Sequence, residues 1–151
     1  MIFRTLTILG LILSSTLTFS ATDIDAQNVQ LILHDINAYR HTRGLPALQL
    51  RQDLSAEAKK HSLDMASHRV PFGHDGFQTR FKHMYATTKH PNGAAENVAY
   101  NYKDGHIVVK NWLTSPHHRA NIQGHYNYTG IGLARDSHGK LYFTQLFLQV
   151  G

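Results

Sequence analysis

An α+β domain is what this sequence predicts, and three observations predict it. Apolar residues recur at helical spacing through the first part of the chain. β-Branched and aromatic residues crowd Thr129 to Arg135 and Lys140 to Val150 near its end. The turn signal Asp136-Ser137-His138-Gly139 divides those two runs into a hairpin. Helices first and strands last suit a layered α+β arrangement rather than a doubly wound sheet. At 151 residues the chain fits one domain, and 42% hydrophobic residues suffice for a core.

The elements follow in order. Arg4 and the apolar run from Leu6 to Phe19 read as a secretory leader, with Thr18-Phe19-Ser20 placing small residues for a cut after Ser20. That run is short and polar at its end for a membrane span, so an exported, secreted or periplasmic protein is expected, with a retained anchor as the rival. Residues 21 to 28 read as a polar leader into the domain. Val29, Ile32, Leu33, Ile36 and Tyr39 make one helical stripe, which Gly44-Leu45-Pro46 ends. A second helix is expected from Asp53 to His68, capped by Asp53 or Ser55, with Leu54, Ala58, Ser62 and Met65 on one face. Residues 70 to 102 show weak periodicity and read as irregular, apart from a short helix over Phe77 to Tyr85. A clearer helix begins near Asp104, carries Val108, Val109, Trp112 and Leu113, and stops before Pro116.

Composition excludes several functions. There is no cysteine, which removes thiol catalysis, disulfide exchange and Cys-ligated zinc. The net charge of +5 falls to about +4 without the first 20 residues, which carry only Arg4. The basic residues are scattered, with no run longer than Lys59-Lys60, so no nucleic-acid partner is expected. Twelve histidines would make the surface strongly cationic near pH 5, a property suited to anionic envelope surfaces. No Gly-rich phosphate loop and no Ser-His-Asp order is present.

Three motifs concentrate the chemistry. They are Phe72-Gly73-His74-Asp75-Gly76-Phe77, Ala95-Glu96-Asn97-Val98-Ala99, and Trp112 to Ile122 with Ser115-Pro116-His117-His118-Arg119 at its centre. Each sets a titratable group beside Gly, Asn or Pro, where loops turn. Their spacing alone does not join His74, Glu96 and His118 into one site, since none are paired at helical distance.

In that order the motifs resemble the bacterial branch of the CAP, or SCP-like, superfamily. The likeness extends from Ile36-Asn37-Ala38-Tyr39-Arg40 through Leu54-Ser55 and His61-Ser62 to Gly130-Ile131-Gly132 and Phe143-Thr144-Gln145, about residues 30 to 149. It implies a three-layer α-β-α sandwich with a central antiparallel sheet and an open cleft, over residues 29 to 151. It also implies a cleft metal, zinc or another divalent ion, held by His74 and His118 with Glu96 as third ligand, supporting partner or base acting on bound water. The eukaryotic pattern has a second Glu after its Trp and a second His before the Thr-Gln strand, where this chain has Ser115 and Tyr142. His117 is the competitor for the place of His118.

Duller roles suit the remaining residues. Trp112 reads as core, Arg119 and Asn121 as ties of their own loop, Asn97 as support for Glu96, and Asp75 as a turn residue. Tyr100, Tyr102, Tyr126 and Tyr128 are candidates to edge a carbohydrate or lipid groove, or to pack half-buried. Three functions follow as expectations. The first is a monomeric exported binding module whose cleft takes a metal and an envelope ligand such as a lipid, glycan or peptide. The second is a metal-assisted hydrolase of peptide or cell-envelope bonds, and the third an envelope protein whose His/Glu cluster is structural.

Overall fold

A computed structural model describes residues 20–151. Apart from Ser20, the expected secretory leader lies outside those residues. Helix α1 (Ala21–Thr42) starts earlier than the sequence suggested, so the expected polar leader is its first turns. Ser20 and Asp23 form a reciprocal capping box. Asn28 then fastens these turns to the rest of the domain, its Oδ1 accepting from Gly105 N–H at 2.7 Å. A buried polar anchor of this kind leaves no apolar periodicity to read.

Strand β1 (Gln49–Leu50) is two residues long and runs straight into α2 (Gln52–Ala66). Arg51 is the N-cap of α2 without any side-chain cap bond, in place of the expected Asp53 or Ser55. Asp53 instead pairs with the Arg51 guanidinium. Helix α3 (Phe77–Ala86) follows, then strand β2 (Pro91–Tyr100), α4 (Gly105–Thr114), α5 (Pro116–Ile122), β3 (Tyr128–Arg135) and β4 (Leu141–Val150). Asp104 caps α4, accepting from Ile107 N–H at 2.9 Å. Pro116 ends α4 and opens α5, where a missing N–H costs nothing.

The four strands lie in the order β1–β3–β4–β2. β3 and β2 each pair antiparallel with β4, as expected, but β1 pairs parallel with β3, so the sheet is mixed. β2 overturns the irregular reading of its segment. Its Asn, Gly and Ala residues have little intrinsic strand preference, and the strand forms by pairing along β4 from Pro91↔Val150 to Tyr100↔Tyr142.

Both faces of β4 are covered, which gives three layers. Phe143 and Phe147 pack with Ile32, Ile36, Val108 and Trp112 of α1 and α4. Leu146 and Leu148 pack with Leu54, Ala58 and Met84 of α2 and α3. Gly130 and Gly132, two apart on β3, let α2 lie directly on the sheet. A Cβ at Gly132 would sit 2.0 Å from Lys59 N, and one at Gly130 2.2 Å from the Leu54 carbonyl carbon.

Arg40 locks the loops at one end. Its guanidinium is fully buried and donates to the carbonyls of Pro46, Ile122, Gly124 and Tyr126 at 2.8–3.0 Å. This holds the chain leaving α5 in place. Among the described residues no helix is long and apolar enough to cross a membrane.

Candidate functional site at the free edge of the sheet

β2 is an edge strand, and its outer rim is closed by side chains rather than by another strand. Asn121 donates to the Glu96 carbonyl at 3.1 Å, and the Trp112 indole N–H to the Val98 carbonyl at 3.3 Å. Asn121 also donates to Asn97 Oδ1 at 2.8 Å, while Asn97 Nδ2 donates to the His118 carbonyl at 3.2 Å. Asn97 thus supports α5 rather than the Glu96 side chain. Arg119 ties its own segment by donating to the Leu113 carbonyl, and Trp112 is wholly core.

Glu96 points to the α2–α3 side of the sheet and is buried. Arg80 meets it with a two-pronged fork, Nε to Oε2 and Nη2 to Oε1, both at 2.8 Å. A third Arg80 bond, Nη1 to the Asp75 carbonyl at 2.8 Å, fastens the turn that carries His74. His74 Nδ1 donates to Glu96 Oε1 at 2.9 Å. A carboxylate only accepts, so a proton lies on Nδ1, and the uncharged form of the ring would present its lone pair at Nε2. Behind this, fully buried His61 donates from Nε2 to the Gly73 carbonyl at 2.8 Å, with Glu96 Oε1 4.0 Å away. Loss of hydration is the main reason that its imidazole titrates below the ordinary histidine range.

His118 comes from the opposite layer, on α5, its ring 6.3 Å from that of Trp112. Its Nδ1 is buried with no hydrogen-bond partner. Burial, and then the charges of His74 and His117, hold its titration below the ordinary range. His74 and His118 are therefore within electrostatic reach of each other, although neither hydrogen-bonds the other. His117 is exposed.

His74 and Glu96 are thus in direct contact, whereas His118 is linked to them only through the charge of His74 and hydrogen-bonds neither. As a three-ligand metal set the residues do not fit. Both Glu96 oxygens are occupied, and among the described residues no group of three His, Asp or Glu is arranged to hold a metal. The same engagement counts against Glu96 as a base. The donors left without a hydrogen-bond partner are two imidazole nitrogens, Nε2 of His74 and the buried Nδ1 of His118.

Sequence reasoning missed Arg80 and His61. Both left a signal. Arg80 falls three residues after Phe77 and four before Met84, a charge on the buried stripe of α3. His61 falls three after Ala58 and four before Met65, on the buried stripe of α2. Of the four tyrosines, Tyr100 is exposed, whereas Tyr102, Tyr126 and Tyr128 pack half-buried against the core.

Comparison with known proteins places these residues in a wider set. Residues 33–147 match the model of the CAP, cysteine-rich secretory protein, family. Two proteins of Bacillus subtilis strain 168 are each 31% identical, the uncharacterized membrane protein YlbC over 83% of this chain and the uncharacterized protein YkwD over 89%. This chain spans only 36% and 52% of their respective lengths. Among solved structures, an extracellular SCP-domain protein from Bacillus anthracis superposes with a TM-score of 0.70 at 24% identity, covering 89% of this chain and 45% of that one. An outer surface protein from Borrelia burgdorferi gives 0.69 at 20% identity, covering 83% and 94%. At those identities the solved structures speak to the fold.

Proposed function

The chain belongs to the CAP family of cysteine-rich secretory proteins, and on that premise we propose that it is an exported binding module whose His74 and His118 hold a divalent cation. The observation that carries the reading is the unpartnered, buried His118 Nδ1 together with an imidazole whose Nε2 is presented by Glu96. An unpaired buried polar atom costs about 1–3 kcal/mol, which a cation on the imidazole pair would offset. Two neutral imidazoles suit zinc, which when bound would polarise whatever ligand reached it.

The chain's own residues divide the remaining work. Glu96 fixes the tautomer and direction of His74, in the manner of a carboxylate behind a metal-bound histidine. Arg80 keeps Glu96 in place and neutralises it, and His61 pins the Gly73–His74 backbone. Asn97 and Asn121 set α5, and with it His118, against the edge of β2. This division gives Glu96 the supporting role, one of the three expected for it. Export is supported by the apolar run from Leu6 to Phe19 and by membership of a family of secretory proteins.

Zinc titration by calorimetry tests the reading. Wild type and His117→Ala bind alike, His74→Ala and His118→Ala lose binding, and Glu96→Gln weakens it roughly 10–100-fold, as expected for the loss of an orienting carboxylate. If wild type does not bind, or His117→Ala matches His118→Ala, the cluster serves only to hold the loops together.

A further inference from the structure

Two residues before His74, the chain presents an aromatic group that the cation site does not use. Phe72 and Tyr100 are 48% and 44% exposed, with ring centroids 4.7 Å apart and planes tilted by 51°. Tyr100 stacks in turn on Tyr142, centroids 5.5 Å apart at 26°. Tyr142 is buried with Met65, Val98 and Ala134. Two exposed rings therefore stand on a packed floor, and fixing them for a ligand costs little further entropy.

A cavity of about 310 Å³ opens at the same end of the sheet, where the β2–α4 connection meets the β3–β4 turn. Lys103, Arg135, His138 and Lys140 line it, with Asn101 and Tyr102. The nearby acids are already engaged. Asp25 pairs with Arg135 at 2.8 Å, Asp104 caps α4, and Asp136 Oδ1 accepts from the N–H groups of His138 and Lys140 at 2.8 and 2.9 Å. Lys103, His138 and Lys140 have no carboxylate partner among the described residues.

Platform and cavity lie at the same end of the sheet, the platform on its α2 face and Leu141 and Tyr102 of the cavity against the α1–α4 core. Asn101 directly follows Tyr100 and donates its N–H to the Leu141 carbonyl at 2.8 Å, and Leu141 directly precedes Tyr142. Burial, and then the charge of Asp136 in the turn that borders the cavity, push the Tyr142 hydroxyl above the ordinary tyrosine range.

We infer that this end of the sheet binds an anionic glycan, with sugar rings stacked on Phe72 and Tyr100 and acidic substituents held by Lys103, His138 and Lys140. Aromatic faces accept the C–H face of a sugar while its hydroxyls stay hydrated, and the cation cluster selects for charge. The exposed apolar surface of the platform is two rings wide, with no aliphatic wedge for entry into a bilayer. Glu96, Val98 and Tyr100 share one face of β2, which puts Tyr100 about 13 Å along the strand from Glu96. A chain-like ligand can run from the cavity across the platform towards His74. The inference rests on the reading of this chain as a binding module and is independent of any metal.

Calorimetry with a hexameric oligogalacturonate, maltohexaose and phosphatidylglycerol vesicles tests it. Wild type binds the oligogalacturonate in a salt-sensitive way and the neutral sugar at least about tenfold more weakly. Phe72→Ala/Tyr100→Ala costs about tenfold in affinity and keeps the salt dependence. Lys103→Gln/Lys140→Gln costs about as much and flattens it. Lys82→Gln, an exposed lysine on α3, leaves binding unchanged. All five substituted positions are exposed, so the variants keep the wild-type melting temperature. Equal losses for Lys82→Gln and the cavity lysines, no loss in the aromatic variant, or no oligogalacturonate binding would each overturn the inference. Binding of vesicles without the glycan would assign the surface to a membrane instead. Zinc titration of the same samples reports separately on the His74–His118 pair.

Discussion

Replacing Arg80 with methionine keeps most of the side-chain stem and removes the guanidinium that holds Glu96. The carboxylate is 6% exposed and would keep only the His74 bond to Oε1, with nothing on Oε2. Removing one partner of a buried ion pair costs about 3–5 kcal/mol, chiefly because a buried charge is left alone. Half-exposed His74 still donates, and water can follow that ring towards the carboxylate, so about 3 kcal/mol is the expected figure. For a domain of this size each kcal/mol moves the melting temperature by about 2–4 °C, which makes the shift about 6–12 °C. Glu96→Leu should cost a similar amount by leaving the guanidinium alone. The Arg80→Met/Glu96→Leu protein should be more stable than either single variant, since no lone charge remains. Urea unfolding followed by the fluorescence of Trp112, the one tryptophan and fully buried, measures all three with a shared slope. A loss below about 1 kcal/mol for Arg80→Met, or a double variant that costs the sum of the singles, would refute the buried-pair account.

Arg40→Lys should cost roughly 2–4 kcal/mol in the same assay, because an ammonium cannot match a fork spread over four carbonyls. A wild-type midpoint would contradict that. Gly132→Ala should lose at least about 1–3 kcal/mol, since its Cβ would lie 2.0 Å from the α2 backbone, whereas Gly151→Ala, in open space, should lose nothing. His61 predicts the sign of a pH effect. Its folded-state titration lies below the unfolded one, so the unfolded chain takes up a proton first as pH falls. Stability is therefore present above about pH 6.5 and declines below it, by at most about 1.4 kcal/mol per pH unit for this group. His61→Gln should flatten the decline in urea midpoints between pH 7.5 and 5. An unchanged slope would exclude His61 as the source.

Residue order alone determined a good deal here. The stripes of α1, α2 and α4, the stop at Pro116 and the closing hairpin are local patterns, carried by periodicity and turn chemistry that need no partner to be read. His74, Glu96 and His118 were nameable because each sits in a short motif. The tertiary structure decided how those residues are held. β2 exists only because β4 pairs with it, so its Asn, Gly and Ala residues gave no strand signal. β1 is defined only by its parallel pairing with β3, and the first turns of α1 are fastened to α4 through Asn28. The role of Glu96 turned on Arg80, 16 residues away and on another element. A carboxylate free in a cleft is a ligand or a base, and one held by a guanidinium is a support. That distinction is a matter of distance and burial between segments, which no spacing along a chain records.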